Sequence, residues 1–163
     1  MQLSKKEIFE LLNTIPDPEI PVINIVELGV IRDVLIDNNN SVTIVITPTY
    51  SGCPAMKQME DDIKLKLIEQ NISNINIKYQ YNPPWTTDWL NDEAKLKLQK
   101  YGIAPPQEKT SDKSFITGVG KKIVCPHCKS NNTNLVSQFG STACKALYKC
   151  NNCLEAFDYF KCI

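Results

Sequence analysis

Seven cysteines are the residues of this 163-residue chain best suited to chemistry, and six of them lie in its last forty residues. Four of those six form two Cys-x-x-Cys pairs, separated by 21 residues: Cys125 with Cys128, and Cys150 with Cys153. Each pair predicts a tight knuckle. Two knuckles on neighbouring hairpins bring four thiolates to the corners of a tetrahedron, the geometry that Zn²⁺ accepts.

A metal is also expected because the C-terminal segment is small. About 40 residues cannot build an adequate hydrophobic core without a metal or a similar crosslink. The spacing therefore predicts a structural zinc site, with iron in the same four-cysteine cage as the main alternative.

The first pair, CPHC, also permits thiol–disulfide exchange. A redox pair of this type normally opens a helix after a strand, whereas here KSNNTN follows and a second pair lies downstream. These features favour the metal over the redox interpretation. His127, the only histidine, lies inside this knuckle, where we expect it to support a thiolate and not to bind the metal itself.

Three further cysteines remain. Cys144 and Cys162 are either small buried residues or a second thiol site, and the residues alone do not decide. Cys53, in TPTYSGCPAM, lies where a β-rich run gives way to a helical pattern. The positive end of a helix dipole stabilises a thiolate there, although a packed small residue is the alternative.

Two acidic residues are candidate partners of Cys53. Asp17 and Glu19 belong to DPEIP, which two prolines keep out of a regular helix. These carboxylates could lie near the thiol, or they could simply form the turn and cap it.

The elements that position these residues follow from hydrophobic periodicity. A helix is predicted from Ser4 to Ile15, where Ser4 and Glu7 form a capping box. VIRDVLID and SVTIVITP alternate around DNNNS and predict a β-hairpin. A second helix is predicted from Pro54 to Gln70 with an apolar face. INIKYQY predicts a third strand. A short helix is predicted from its cap at Asn91 to Tyr101, with Gly102 as its C-cap.

These elements predict an α+β protein. Residues 1–104 form a small α/β domain of order α-β-β-α-β-α, residues 105–120 a linker rich in Pro, Ser, Thr and Gly, and residues 121–163 a four-cysteine zinc ribbon of β-hairpins.

The formal net charge is zero, but the charge is unevenly distributed. Residues 1–104 carry ten basic and fourteen acidic side chains, and residues 121–163 carry six and two. The modest positive charge makes nucleic-acid binding an unfavoured alternative, with the ribbon aromatics Phe139, Tyr148 and Phe157 as its candidate contacts. No apolar run has the length of a signal-peptide core or a membrane span, so we expect a cytoplasmic protein.

Catalysis by this chain alone is not expected. A single histidine cannot supply the two Glu-x-x-His units of a carboxylate-bridged di-iron centre, and His127 lies inside a knuckle and not in a catalytic triad. GVGKK lacks the spacing of a phosphate-binding loop.

DPEIP and TPTYSGCPAM resemble the MIP18 (DUF59) family of small α/β domains that assist iron–sulfur protein maturation. PPWTTDW, YGIAPP, CPHC, FGSTACKALYKC and FDYFKC extend the resemblance over nearly the whole chain to the PaaD family. That family is the D component of phenylacetyl-CoA epoxidase systems in aerobic phenylacetate degradation.

The resemblance implies an accessory role in metal-centre assembly. It implies that Cys53 is the reactive thiol, with Asp17 and Glu19 in a supporting loop, and that the four ribbon cysteines bind structural zinc. Transient iron or an iron–sulfur unit is the implied cargo. The implied partners are the oxygenase and reductase subunits, and a homo-oligomer is left open. A non-catalytic scaffold subunit of the epoxidase complex is the alternative.

Overall fold

The computed structural model describes residues 3–39, 41–107 and 122–161. The chain divides into two compact units, Met1–Trp85 and Thr86–Ile163. The predicted α+β class is confirmed, with α/β elements first and a Cys-rich β unit last.

The first unit is built on a three-stranded sheet of order β1-β2-β3. Strands β1 and β2 form the predicted antiparallel hairpin, whereas β2 and β3 are parallel and are joined by helix α2. The elements are α1 (Lys5–Leu12), β1 (Ile31–Ile36), β2 (Val42–Ile46), α2 (Ala55–Ile68) and β3 (Ile75–Tyr79).

Both helices form for the reasons that the sequence suggests. Helix α1 begins after Ser4, whose side chain and that of Glu7 form the predicted reciprocal capping box. Helix α2 buries its predicted apolar face against the sheet. The buried side chains of that face are Met56, Met59, Ile63 and Leu67.

The second unit contains a four-stranded sheet of order β4-β7-β6-β5. Strands β5, β6 and β7 form an antiparallel meander, and β4 adds to it in parallel with β7. After a 3-10 turn, its elements are α3 (Asp92–Tyr101), β4 (Ile103–Ala104), β5 (Thr133–Ser137), β6 (Lys145–Cys150) and β7 (Ala156–Phe160).

The ladder between β4 and β7 explains where the compact units divide. Gly102 ends α3 in the left-handed conformation, with φ of 93°, and Ile103 then pairs with Asp158 of β7. Backbone hydrogen bonds thus hold the residues after α3 to the ribbon sheet, although the sequence predicted a first domain reaching residue 104. That domain boundary stays a prediction, and the predicted linker 105–120 lies largely outside the described residues.

Candidate metal centre and thiol site

The two Cys-x-x-Cys pairs converge in the second unit. Their four sulfur atoms all lie within 4.8 Å of one another. Cys125 Sγ is 3.7 Å from Cys153 Sγ, and Cys128 Sγ is 3.5 Å from Cys150 Sγ, so each contact joins one knuckle to the other. Such proximity of four thiols from two hairpins suits one tetrahedral metal ion.

The two knuckles have matching backbone geometry. Cys125 N donates to Ser130 O, and Cys150 N donates to Glu155 O, both at 2.9 Å. The residue four positions after each first cysteine takes a left-handed conformation: φ is 64° at Lys129 and 67° at Leu154. This conformation is costly for a residue with a side chain, so the fold itself must hold each turn closed.

The electrostatics of the cluster also fit a cation. Hydrogen bonds from the Cys153 and Asn152 backbone N–H groups lower the pKa of Cys150 to about 6, against desolvation. The Glu155 N–H acts in the same direction on Cys153, but burial and the neighbouring thiols raise its pKa to about 12. Four packed thiols therefore cannot all ionise unless a positive charge balances them, and soft thiolate donors suit zinc or iron.

The four clustered cysteines pack against an aromatic core. Cys125 and Cys150 are fully buried beside Tyr148, Phe157 and Tyr159. Tyr148 stacks with Phe157 at 6.0 Å between ring centroids and meets Tyr159 edge-on at 5.8 Å. Cys128 remains exposed, so one side of the cage faces solvent.

His127 lies on the exposed surface of the first knuckle. Its ring lies against Gly102: a Cβ atom added there would be 3.2 Å from His127 Cε1. The described four-residue cluster consists of cysteines alone.

Cys144 immediately precedes β6 and is buried, and it is not part of the four-sulfur cluster. Its Sγ is 3.0 Å from Thr142 Oγ1, and its carbonyl accepts a hydrogen bond from Lys161 N. Burial lowers the pKa of the Lys161 ammonium, which donates to Gln138 O at 2.9 Å, while the charge of Cys144 opposes that shift. Cys162, the other candidate thiol, lies outside the described residues.

Cys53 occupies a different place, in the first unit, on the loop between β2 and α2. Gly52, with φ of 78°, turns the chain before it, and Cys53 O accepts a hydrogen bond from Met56 N as α2 begins. Pro54, at the N-cap position, offers no side-chain acceptor. The thiol is half-buried and so remains partly accessible to solvent.

Three loops meet at this edge of the sheet. Thr47 joins them, because its N–H donates to Val30 O at 2.9 Å and its hydroxyl donates to Gln80 O at 2.7 Å. Trp85 continues the arrangement through its indole N–H, which donates to Leu28 O at 2.8 Å. The loop of Cys53 thus leaves the carboxyl end of β2, where ligands of parallel α/β sheets commonly bind.

Asp17 and Glu19 lie in the loop between α1 and β1. Asp17 is buried, and its Oδ1 accepts hydrogen bonds from Glu19 N at 2.9 Å and Ile20 N at 2.6 Å. Asp17 N in turn donates to Ile23 O at 2.9 Å. This carboxylate therefore forms and caps its own turn, and Glu19 is half-buried beside it.

Two polar side chains of the first unit have a contact that the sequence does not predict. The Tyr79 hydroxyl, at the end of β3, donates a short hydrogen bond to Glu60 of α2. Burial and this hydrogen bond raise the pKa of Tyr79, and the charge of Cys53 adds a smaller contribution in the same direction. A polar pair across the parallel β2-α2-β3 unit leaves no mark on the periodicity of either element.

In the part of the chain that the structure describes, we find no helix with the length and apolar character needed to cross a membrane.

Two family profiles match the chain, one for each kind of site. A profile described as iron–sulfur cluster assembly protein matches residues 5–71, which include Cys53. A profile described as PaaD zinc beta ribbon domain matches residues 109–161, which include the four clustered cysteines.

Curated and solved relatives agree with these profiles. The chain is 45% identical over 157 residues to the D subunit of the "Putative 1,2-phenylacetyl-CoA epoxidase" of Escherichia coli (strain K12), covering 96% of this chain and 92% of that protein. The Fe-S protein maturation auxiliary factor YitW of Bacillus subtilis (strain 168) is 34% identical and covers 58% of this chain and 92% of its own.

The first part of the chain also resembles a solved structure. A crystal structure of a DUF59 domain from Bacillus anthracis superposes with a TM-score of 0.54 at 32% identity, covering 58% of this chain and 90% of that domain. The chain therefore belongs to the PaaD family, in which an iron–sulfur cluster assembly domain of DUF59 fold precedes a PaaD zinc β-ribbon.

Proposed function

We propose that this protein is an accessory factor that assists the maturation of the iron or iron–sulfur centres of a phenylacetyl-CoA epoxidase system, and that it has no catalytic activity of its own. The observation that carries the proposal is the half-buried Cys53 thiol at the carboxyl edge of β2, within the segment that matches the iron–sulfur cluster assembly profile.

In this proposal, Cys53 supplies a thiolate that holds its cargo transiently. A single accessible thiolate binds ferrous iron or an exposed iron atom of a cluster, and releases it readily because few other protein ligands hold the cargo. Asp17 supports this function by shaping the neighbouring loop, and Glu19 is the less buried acidic residue of that loop.

The ribbon has a separate role in this proposal. Cys125, Cys128, Cys150 and Cys153 hold one structural zinc ion, which stabilises the second unit. The ribbon then serves as the docking surface for an oxygenase or reductase subunit, in line with the name of the Escherichia coli relative.

The test is the metal and acid-labile sulfide content of anaerobically purified protein, compared between the wild type and Cys53→Ser. We expect one zinc in both proteins, with additional iron or sulfide in the wild type alone. A partner subunit that becomes fully metallated when it is produced with Cys53→Ser would contradict the proposal.

A permanent scaffold subunit of the epoxidase complex is the second candidate, because the matched relative is named as a subunit and not as a maturation factor. Purification of the complex distinguishes the two functions. A subunit remains in the active complex at fixed stoichiometry, whereas a maturation factor is absent from the mature, active enzyme.

A further inference from the structure

Strand β3 forms one open side of the three-stranded sheet, and we call that side the β3 edge. In the described residues, β3 pairs with β2 alone, from Ile75 to Tyr79 and without a register shift. Asn74 O and Gln80 N bond with β2, so the backbone groups of every second residue point toward that strand. Ile75, Ile77 and Tyr79 therefore direct their N–H and C=O groups to the β3 edge, where another strand can bind them.

The opposite side of this sheet is protected against strand addition. Strand β1 contains a register shift between Ile31 and Asp33, which bends the strand. It also carries the charged side chains of Arg32 and Asp33, and Lys5 of α1 forms an ion pair with Asp33. Bulges and charges of this kind keep an edge strand from pairing. The β3 edge, by contrast, is regular and carries one charged side chain, Lys78.

Apolar side chains accompany the β3 edge. The side chains of Ile75, Ile77 and Tyr79 are half-buried. Tyr81 stacks on Tyr79, with ring centroids 5.9 Å apart, and is 64% exposed, and Ile68, in the last turn of α2, is 57% exposed. A strand that binds this edge would remove apolar surface from water while it satisfies the open backbone groups of β3.

We propose that the β3 edge pairs with the β3 edge of a second copy of this chain, antiparallel about a two-fold axis at Ile77. Ile77 then lies opposite its own counterpart, and Ile75 lies opposite the second copy's Tyr79. Because all three residues direct their N–H and C=O groups outward, each of these opposed pairs exchanges two backbone hydrogen bonds. The sheets of the two copies thus become one continuous sheet.

Charge and strand length select this register and make the edge complementary to itself. In the proposed pairing, Lys78 lies opposite the second copy's Asn76, so no like charges meet. Pairing centred on Lys78 would bring two ammonium groups face to face, and pairing centred on Asn76 would leave Tyr79 opposite a residue outside β3. On the α2 flank beside β3, Glu60 and Lys64 form an ion pair at 3.5 Å, so this flank adds no net charge.

The pairing leaves the proposed cargo site open. Since the joined strands are antiparallel, the carboxyl ends of the two β2 strands lie at opposite ends of the continuous sheet. The two Cys53 loops therefore remain apart, and each thiol stays partly accessible. The inference does not depend on what Cys53 binds, so its failure would leave the proposed function untouched.

The test measures self-association of the full-length, zinc-loaded protein by sedimentation equilibrium over a range of concentrations. We expect a monomer–dimer equilibrium in the wild type. Asn76→Asp places a carboxylate opposite Lys78 and is expected to tighten the dimer about fivefold, whereas Asn76→Lys opposes like charges and should weaken it about fivefold. Both variants lose the Asn76 amide that donates to Ser41 Oγ, so a purely structural effect would have the same sign in both.

Gln58→Lys is the matched control for the added charge. Gln58 is exposed and lies two residues before Glu60, on the other side of α2, where it donates to Asp62. Its dimer affinity should equal that of the wild type. Thermal unfolding of each variant confirms that the comparison is made between folded proteins.

Amide hydrogen exchange followed by NMR locates the interface. Protection of the Ile75, Ile77 and Tyr79 N–H groups should rise with protein concentration in the wild type. A wild type that stays monomeric, equal dimer affinity in the two Asn76 variants, or exchange at these three amides that is independent of concentration overturns the inference. Protection that appears only when an oxygenase or reductase subunit is added would assign the β3 edge to that partner and would also overturn it.

Discussion

Asp17 is a buried carboxylate that accepts hydrogen bonds from the backbone of its own loop. Its Oδ1 accepts two N–H groups of the loop that leads toward β1, and both bonds are local. A side chain used in this way organises its own loop between α1 and β1.

Replacing Asp17 by Ala is expected to lower the free energy of unfolding by about 2 kcal/mol, because two backbone donors lose a buried acceptor. Asp17→Asn keeps an acceptor oxygen and should cost about half as much. Urea denaturation of both variants checks the prediction. A loss that is equal in Asn and Ala would show that the charge of Asp17 matters and that its acceptor geometry does not.

Residue chemistry also explains what was missed. Glu60 and Tyr79 are 19 positions apart and lie on different elements, so no sequence motif joins them. The cysteine pairs were recognisable because the two cysteines of each Cys-x-x-Cys pair are close in the sequence. Only the meeting of the two pairs joins distant parts of the chain.

At the scale of elements, the helix ends are the best predicted features. Ser4 caps α1 and Asn91 caps α3, and Gly102 ends α3 in the left-handed conformation. These signals depend on groups within four residues of one another, so tertiary packing hardly alters them.

The capping box of α1 yields a prediction that depends on pH. The Ser4 backbone N–H and hydroxyl donate to Glu7 and hold its pKa below the usual 4.5. Because the pKa is lowered in the folded state, this stabilisation is present above pH 4.5 and is lost as the pH falls through the folded-state value.

Ser4→Ala is therefore expected to lower the free energy of unfolding by about 1 kcal/mol at neutral pH, since a cap is removed. The penalty should shrink as the pH falls below 4.5. Thermal unfolding over this pH range measures it, with Lys6→Ala, an exposed position of the same helix, as the control. A penalty that does not change with pH would exclude a contribution from ionised Glu7.

At the scale of the whole molecule, the two compact units have different sources of stability. The unit Met1–Trp85 buries the apolar faces of α1 and α2 on a sheet, whereas Thr86–Ile163 surrounds a four-sulfur cluster with a small aromatic core. A core this small is expected to need a metal ion, held by the four clustered cysteines, for much of its stability.

Cys150→Ser is expected to abolish zinc binding and to remove hydrogen-exchange protection from β5, β6 and β7 while β1 to β3 keep theirs. Cys144→Ser is the matched control in the same strand ladder, and it should retain one zinc, because Cys144 lies outside the four-sulfur cluster. Zinc analysis and hydrogen exchange by mass spectrometry test both variants. Loss of zinc in Cys144→Ser would add this thiol to the ligand set.

The sequence by itself determined the local features of this protein: the α+β class, the helix caps, the hairpin of β1 and β2, and the two cysteine knuckles. Each of these depends on residue types at short, regular spacing. The tertiary structure alone decided which distant groups meet, because those contacts come from packing between elements. It joined β4 to β7, committed Asp17 to its own loop, and placed Glu60 and Tyr79 together at the edge of the sheet that carries Cys53.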